Sequence, residues 1–198
     1  MNRFFACLLL AGLAAMAGLP SAGAAGADKN VFNVREFGAI GDGKNLDSPA
    51  INQAINAAAD AGGGTVLLPA GTYLSGSIHL RSNIHLLIDA GATILGAPQN
   101  LNAYDETEPF PGIAYQDGGH CYFHNSLIWG ENLTNVFITG HGTINGGGLE
   151  RDPKILDQMC GYGHFPTPNT NTYPPVRIGN KSIALKLCKN VLIRDITI

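Results

Sequence analysis

Three stretches of the chain are variations on one phrase: Asn83-Ile-His-Leu-Leu-Ile-Asp-Ala-Gly-Ala-Thr-Ile, Asn135-Val-Phe-Ile-Thr-Gly-His-Gly-Thr-Ile and Asn190-Val-Leu-Ile-Arg-Asp-Ile-Thr-Ile. Each has an Asn at a turn, a short β-branched strand, a small or polar corner and a second β-branched strand. A unit this short cannot bury both of its faces, so it must stack on copies of itself. A further short strand precedes each copy, at residues 77–80, 126–129 and 183–187. Three strands and two tight corners, repeated along the chain, read as an all-β, right-handed parallel β-helix. Insertions at 97–125 and 146–182 interrupt the repeat at the same place, after the third strand. Both are therefore expected on one rim of the solenoid, where gathered loops commonly build a binding cleft.

Composition agrees: 26 Gly and only 14% charged residues favour a turn-rich β fold over a helical one. A net charge of -3 argues against nucleic acid as a partner. Residues 31–43 read as a strand and a Gly-rich turn. Asp47 or Ser48 then caps a short helix with Pro49 in its first turn and Ile51, Ala54, Ile55 and Ala58 on one face. Gly62-Gly63-Gly64 ends it. Such a helix suits the open end of a solenoid, which otherwise exposes strand edges and core. Residues 65–68 and 72–74, joined by Pro69-Ala70-Gly71, make a first coil. The apolar pattern is still running at Ile198, so the chain reads as the N-terminal part of a longer protein.

Arg3, the apolar run 4–19 and the small residues Ala22-Gly23-Ala24 and Ala25-Gly26-Ala27 form a secretory signal peptide. Residues 1–27 are assigned to it, and 28–198 to the N-terminal portion of a single β-helix domain. The run is too short, and too broken by Gly12, Gly18 and Pro20, to be a membrane anchor. The mature protein is expected to be secreted or periplasmic, with no membrane association. Cys121, Cys160 and Cys188 then remain, so one intrachain disulfide at most can form. A Cys121 to Cys160 bridge would tie the two insertions together, and Cys188 reads as a buried free thiol.

Several segments resemble the N-terminal region of glycoside hydrolase family 28, the polygalacturonases and rhamnogalacturonases. These are Phe32-Asn-Val-Arg-Glu-Phe-Gly-Ala-Ile-Gly-Asp-Gly-Lys, Gly64-Thr-Val-Leu-Leu-Pro-Ala-Gly-Thr-Tyr, Gly76-Ser-Ile-His-Leu-Arg-Ser-Asn-Ile, His124-Asn-Ser-Leu-Ile-Trp-Gly-Glu-Asn and Ile138-Thr-Gly-His-Gly-Thr-Ile-Asn-Gly-Gly-Gly. The first two are shared across the pectate-lyase-like β-helix superfamily. The resemblance implies inverting hydrolysis of α-linked galacturonate or a related pectin sugar, by one carboxylic acid and carboxylate bases that activate water. The family's Asn-Thr-Asp triplet, Asp-Asp pair and Arg-x-Lys are not found here. No catalytic residue is therefore assigned within this chain, and the catalytic carboxylates are expected downstream of Ile198. Gly140-His141-Gly142 spells the family's Gly-His-Gly but sits in a repeat corner, where a turn role is expected.

The expected ligand is an acidic polysaccharide such as pectin, polygalacturonate or rhamnogalacturonan. Tyr115, Gln116, Asp117, His120 and His124 of the first insertion and Arg177 of the second are the candidate contacts. Asp105, Glu106 and Glu108 read as solvated loop charges, and Asn83, Asn135 and Asn190 as an amide ladder. No metal and no cofactor is expected: His120, Cys121, His124, Cys160 and His164 fit no strong zinc spacing, and Asp89 and Asp195 stand apart. The alternatives are a non-catalytic carbohydrate-binding β-helix of adhesin or tailspike type, or a pectate lyase or epimerase.

Overall fold

The computed structural model describes residues 30–108, 122–150 and 177–198. Twelve strands among these residues lie in three parallel sheets. Sheet A is ordered β1 (Val31–Asn33), β3 (Gly64–Leu68), β6 (Ile84–Ile88), β9 (Thr134–Gly140) and β12 (Lys189–Arg194). Sheet B is ordered β2 (Asp42–Leu46), β4 (Gly71–Ser75), β7 (Ala92–Gly96) and β10 (Thr143–Asn145). Sheet C holds β5 (Ile78–His79), β8 (Ile128–Glu131) and β11 (Ile183–Lys186). The chain visits C, A and B in turn, once per coil, and forms a right-handed parallel β-helix.

The repeats are in register because like residues stack. Val66, Leu86, Ile138 and Ile193 form one column of sheet A, and Tyr73, Ile94 and Ile144 one column of sheet B. All of these except Ile193, on the last coil, are buried. In a parallel β-helix each inward side chain meets its equivalents above and below, so the core is built of aliphatic columns.

The corner before sheet A is held by the ladder that the sequence suggests. Asn83, Asn135 and Asn190 take φ of 63°, 59° and 53°. The Asn135 amide donates to Asn83 Oδ1 at 2.7 Å, and the Asn190 amide to Asn135 Oδ1 at 2.8 Å. Asn suits the position twice over, tolerating left-handed backbone while its side chain both gives and accepts a hydrogen bond.

Helix α1 (Ser48–Asp60) closes the first coil with Ile51, Ala54, Ile55 and Ala58 buried. Asp47 occupies the N-cap position but makes no side-chain cap. Its carboxylate instead accepts the Ile40 and Gly41 N–H groups at 2.7 and 3.0 Å. Strand β2 is unexpected in so turn-like a sequence. It forms because the edge of β4 supplies backbone partners, with a register shift between Asp42 and Leu46.

Gly140, at φ 130°, lets two coils approach closely: an added Cβ would lie 1.9 Å from Ile88 O. His141 beside it is exposed. The Gly-His-Gly sequence is thus a packing corner, as expected. Cys188 carries a free thiol, but it is half-buried rather than buried, with Sγ 3.4 Å from Lys186 O. Leu187, at φ 54°, starts the corner there and leaves the thiol at the surface of the turn.

Candidate functional site

Alternation along sheet C decides what faces outward. Ile78 and Ile128 pair and point into the core, so their successors His79 and Trp129 pair on the outer face. Two residues on, Glu131 pairs with Lys186 of the next coil, its carboxylate 3.2 Å from the Lys186 ammonium. Both insertions begin at the end of sheet B and return to this sheet, so their stems flank the outer face.

The first insertion supplies the other members. Tyr104 is fully buried and donates to Ala97 O at 2.8 Å, while the Asp105 N–H donates to Ser77 Oγ at 3.0 Å. These contacts aim the Asp105 carboxylate across sheet C. Its Oδ2 lies 2.6 Å from His79 Nε2 and accepts the Trp129 indole N–H at 2.8 Å. From the returning stem, His124 stacks on Trp129 with ring centroids 4.1 Å apart, and its Nε2 is 3.1 Å from Glu131 Oε2. His79 meets the same indole at 5.3 Å and a 58° tilt. Trp129 is thus held between two histidines, each tied to a carboxylate.

The reading of Asp105, Glu106 and Glu108 as solvated charges needs correction. Glu108 accepts the backbone N–H groups of Phe123 and His124 at 2.9 to 3.0 Å, joining the two ends of the first insertion. Glu106 pairs with Arg177 at 2.8 Å. Residues adjacent in sequence cannot reveal such partners, which come from 15 or more positions away. Lys181, at the end of the second insertion, donates to Tyr122 O at 2.6 Å and lies over the Phe123 ring. Burial pushes its amine down to about 8 against the attraction of Glu108.

Burial alone would raise the Asp105 carboxyl. The hydrogen bond and charge of His79, the indole N–H and the more distant His124 outweigh it and hold the group below its ordinary 3.8. Glu131 is held below 4.5 by hydrogen bonds from His124 and then Lys186. Both are therefore anions at neutral pH. Since an ionised carboxylate only accepts hydrogen bonds, His79 and His124 must present Nε2–H to them, which leaves each Nδ1 turned elsewhere. Such carboxylates can bind hydroxyls and orient imidazoles, but they are poor proton donors.

Of the residues singled out from sequence, His124 joins this cluster, and Arg177 lies at its margin, donating to Tyr104 O as well as pairing with Glu106. Tyr115, Gln116, Asp117, His120, Cys121, Cys160 and His164 lie outside the described residues. His79, Trp129, Glu131 and Lys186 were not anticipated. The alternation Ile78-His79 and Ile128-Trp129-Gly130-Glu131 could have exposed three of them once the register was known. Among the described residues no three His, Cys, Asp or Glu side chains converge to hold a metal ion. A separate depression of about 380 Å³, lined by Asn145, Leu149, Asn180 and Ile198 among others, lies away from the cluster.

A three-sheet parallel solenoid of this kind is the fold of the pectate-lyase-like class. The chain belongs to the rhamnogalacturonase A/epimerase, pectate lyase-like family, whose model matches residues 31–153. It is 36% identical over 119 residues to a probable polygalacturonase of Vitis vinifera, covering 58% of this chain and 24% of that protein. It is 32% identical over 161 residues to mannuronan C5-epimerase AlgE1 of Azotobacter vinelandii, covering 70% of this chain and 11% of that one. Among solved structures, a hyperthermoactive exopolygalacturonase from Thermotoga maritima superposes with a TM-score of 0.59 at 26% identity, over 85% of this chain and 41% of the enzyme. The chain therefore spans well under half the length of each of these relatives.

Proposed function

We propose that this chain supplies the N-terminal coils of a secreted, pectin-active glycosidase of the polygalacturonase type, acting on an acidic polysaccharide. Residues 1–27 serve as its export signal, and residues 28–198 form one β-helical unit with the coils that follow. The observation that carries the reading is the joint match in sequence and fold to polygalacturonases across the coils described above. The outer face of sheet C is the proposed substrate side. His124 and Arg177 stand there, and Tyr115, Asp117 and His120 are proposed to join them from the first insertion.

Inverting hydrolysis needs a carboxylic acid that still holds its proton near neutral pH, with a second carboxylate to activate water. Asp105 and Glu131 are both driven the other way. Neither of these two is suited to donate the proton; the donor is proposed to lie downstream of Ile198, and the chain alone is expected to be inactive. The test is reducing-end release from polygalacturonate by the 198-residue chain and by its longer parent. Activity in the parent alone is expected, whereas activity in the isolated chain would overturn the assignment of Asp105 and Glu131 as anions that bind.

The 32% identity to a mannuronan C5-epimerase favours a second reading, an epimerase or lyase. That enzyme would leave chain length unchanged with an inverted sugar, or release an unsaturated product absorbing in the ultraviolet.

A further inference from the structure

Residues 122–127, where the first insertion returns to β8, belong to no strand, so no ladder of backbone bonds fixes His124. What lies beside them is the returning end of the second insertion. The Asn180 N–H donates to Asn125 O at 3.1 Å, the Leu127 N–H to Lys181 O at 2.8 Å, and the fully buried Asn125 amide to Ile178 O at 2.6 Å. Ser126 Oγ reaches Asn180 Oδ1 at 3.3 Å. One insertion is thus the bed on which the last residues of the other rest.

The grip on Tyr122, Phe123 and His124 is also ionic. Glu108 accepts the Phe123 and His124 N–H groups, while the Lys181 ammonium donates to Tyr122 O at 2.6 Å and lies 5.3 Å from the centre of the Phe123 ring. An anion on N–H groups and a cation on a carbonyl both match the polarity of the backbone, and such charge-assisted bonds are roughly twice as strong as neutral ones. Among the described residues the charged groups around Lys181 are Glu108 on the outgoing stem of the first insertion and Lys186 of β11, which shares the Phe123 ring at 5.7 Å. Lys186 is itself engaged by Glu131 of β8. His124 carries the effect to the surface, its ring stacked on Trp129 and tied to the same Glu131.

We propose that Lys181 is a positioning residue for the outer face of sheet C: by holding Tyr122 and Phe123 it keeps His124 against Trp129, so that the second insertion governs a site built by the first. The ammonium form is needed for this. A neutral amine keeps one hydrogen bond but loses its attraction to Glu108 and to the Phe123 ring. The contact between His124 and Trp129 therefore loosens as the amine gives up its proton. From the reading above the inference takes only that this face meets substrate.

Trp129 is the single Trp of the chain, so quenching of its fluorescence by acrylamide measures how well His124 covers it. The 198-residue chain is followed from about pH 7 to about pH 9, below the range where tyrosines ordinarily ionise. The quenching constant should rise about twofold, as one of the two indole faces is uncovered. The rise should be a single step centred near pH 8, where the buried amine loses its proton. Lys181→Met keeps the apolar stem without charge or donor, and should show the higher value throughout with no step. Glu108→Gln should move the step to lower pH, because a carboxylate no longer holds the proton on the amine. A flat profile in the unaltered chain, or the same step in Lys181→Met, would overturn the proposal. Circular dichroism checks that the variants keep their fold. If Lys181→Met does not, magnetic resonance of the unaltered chain decides: one lysine Cε signal and the Trp129 indole N–H should share a midpoint near pH 8, and separate midpoints refute the coupling. No sugar is present in these measurements. A protein with the step but inactive on polygalacturonate refutes only the glycosidase reading, and an active one with a flat profile refutes only the role of Lys181.

Discussion

Asn135 is the middle rung of the corner ladder, and replacing it separates two contributions that the structure shows together. Its side chain donates to Asn83 and accepts from Asn190 at the exposed edge of the corner, and its backbone sits at φ 59°. Side-chain hydrogen bonds in such a setting contribute at the low end of the usual range, about 0.5 kcal/mol each. Holding an Ala in left-handed backbone costs roughly 1 kcal/mol, whereas Gly takes it without strain but loses more freedom on folding. Asn135→Ala should therefore lose about 2 kcal/mol and Asn135→Gly about 1. At roughly 2 to 4 °C per kcal/mol for a chain of this size, the melting temperature falls by about 4 to 8 °C and 2 to 4 °C respectively. Thermal melts followed by far-ultraviolet circular dichroism make the comparison, and a cycle with Asn83→Ala should show coupling of about 0.5 kcal/mol. The reasoning fails if Asn135→Ala is within about 0.5 kcal/mol of the parent, or if Gly is as damaging as Ala.

Three further outcomes are expected. Gly140→Ala should cost about 3 kcal/mol or prevent folding, since its Cβ would meet Ile88 O at φ 130°, while the exposed His141→Ala should change stability by less than about 0.5 kcal/mol; denaturant unfolding of both checks this. The buried Lys181 amine, lowered to about 8 from 10.5, binds fewer protons in the folded than in the unfolded state between those values, so its penalty is present below about pH 8 and relieved as pH rises toward 10.5. The stability of the parent relative to Lys181→Met should thus climb across that window, and a flat difference in urea unfolding would refute the burial argument. Val191, Leu192, Ile193 and Ile198 are exposed on the last coil, so the isolated chain should self-associate; a monodisperse monomer by light scattering would contradict this.

The repeat phrase was sufficient to specify the solenoid, because spacing of β-branched strands and Asn corners is a local property that recurs. The helix over Ile51, Ala54, Ile55 and Ala58 and the ladder residues Asn83, Asn135 and Asn190 were legible for the same reason. The single coil containing β2 was not, because its pairing with β4 is made by a neighbouring backbone and not by its own residues.

The chemistry at Trp129 depended on something sequence spacing does not carry. Aligning the two Ser-started strands, at Ser77 and Ser126, would set His79 opposite Ile128, yet the fold pairs His79 with Trp129. A slip of one residue exchanges the two faces of a strand, so only the assembled stack decides which side chains look outward. Asp105, Glu108 and Lys181 acquire their partners in the same way. Charge and polarity are written in the sequence, but a carboxylate becomes a partner of side-chain rings, as at Asp105, or a backbone clasp, as at Glu108, according to which distant N–H groups the packed coils bring to it.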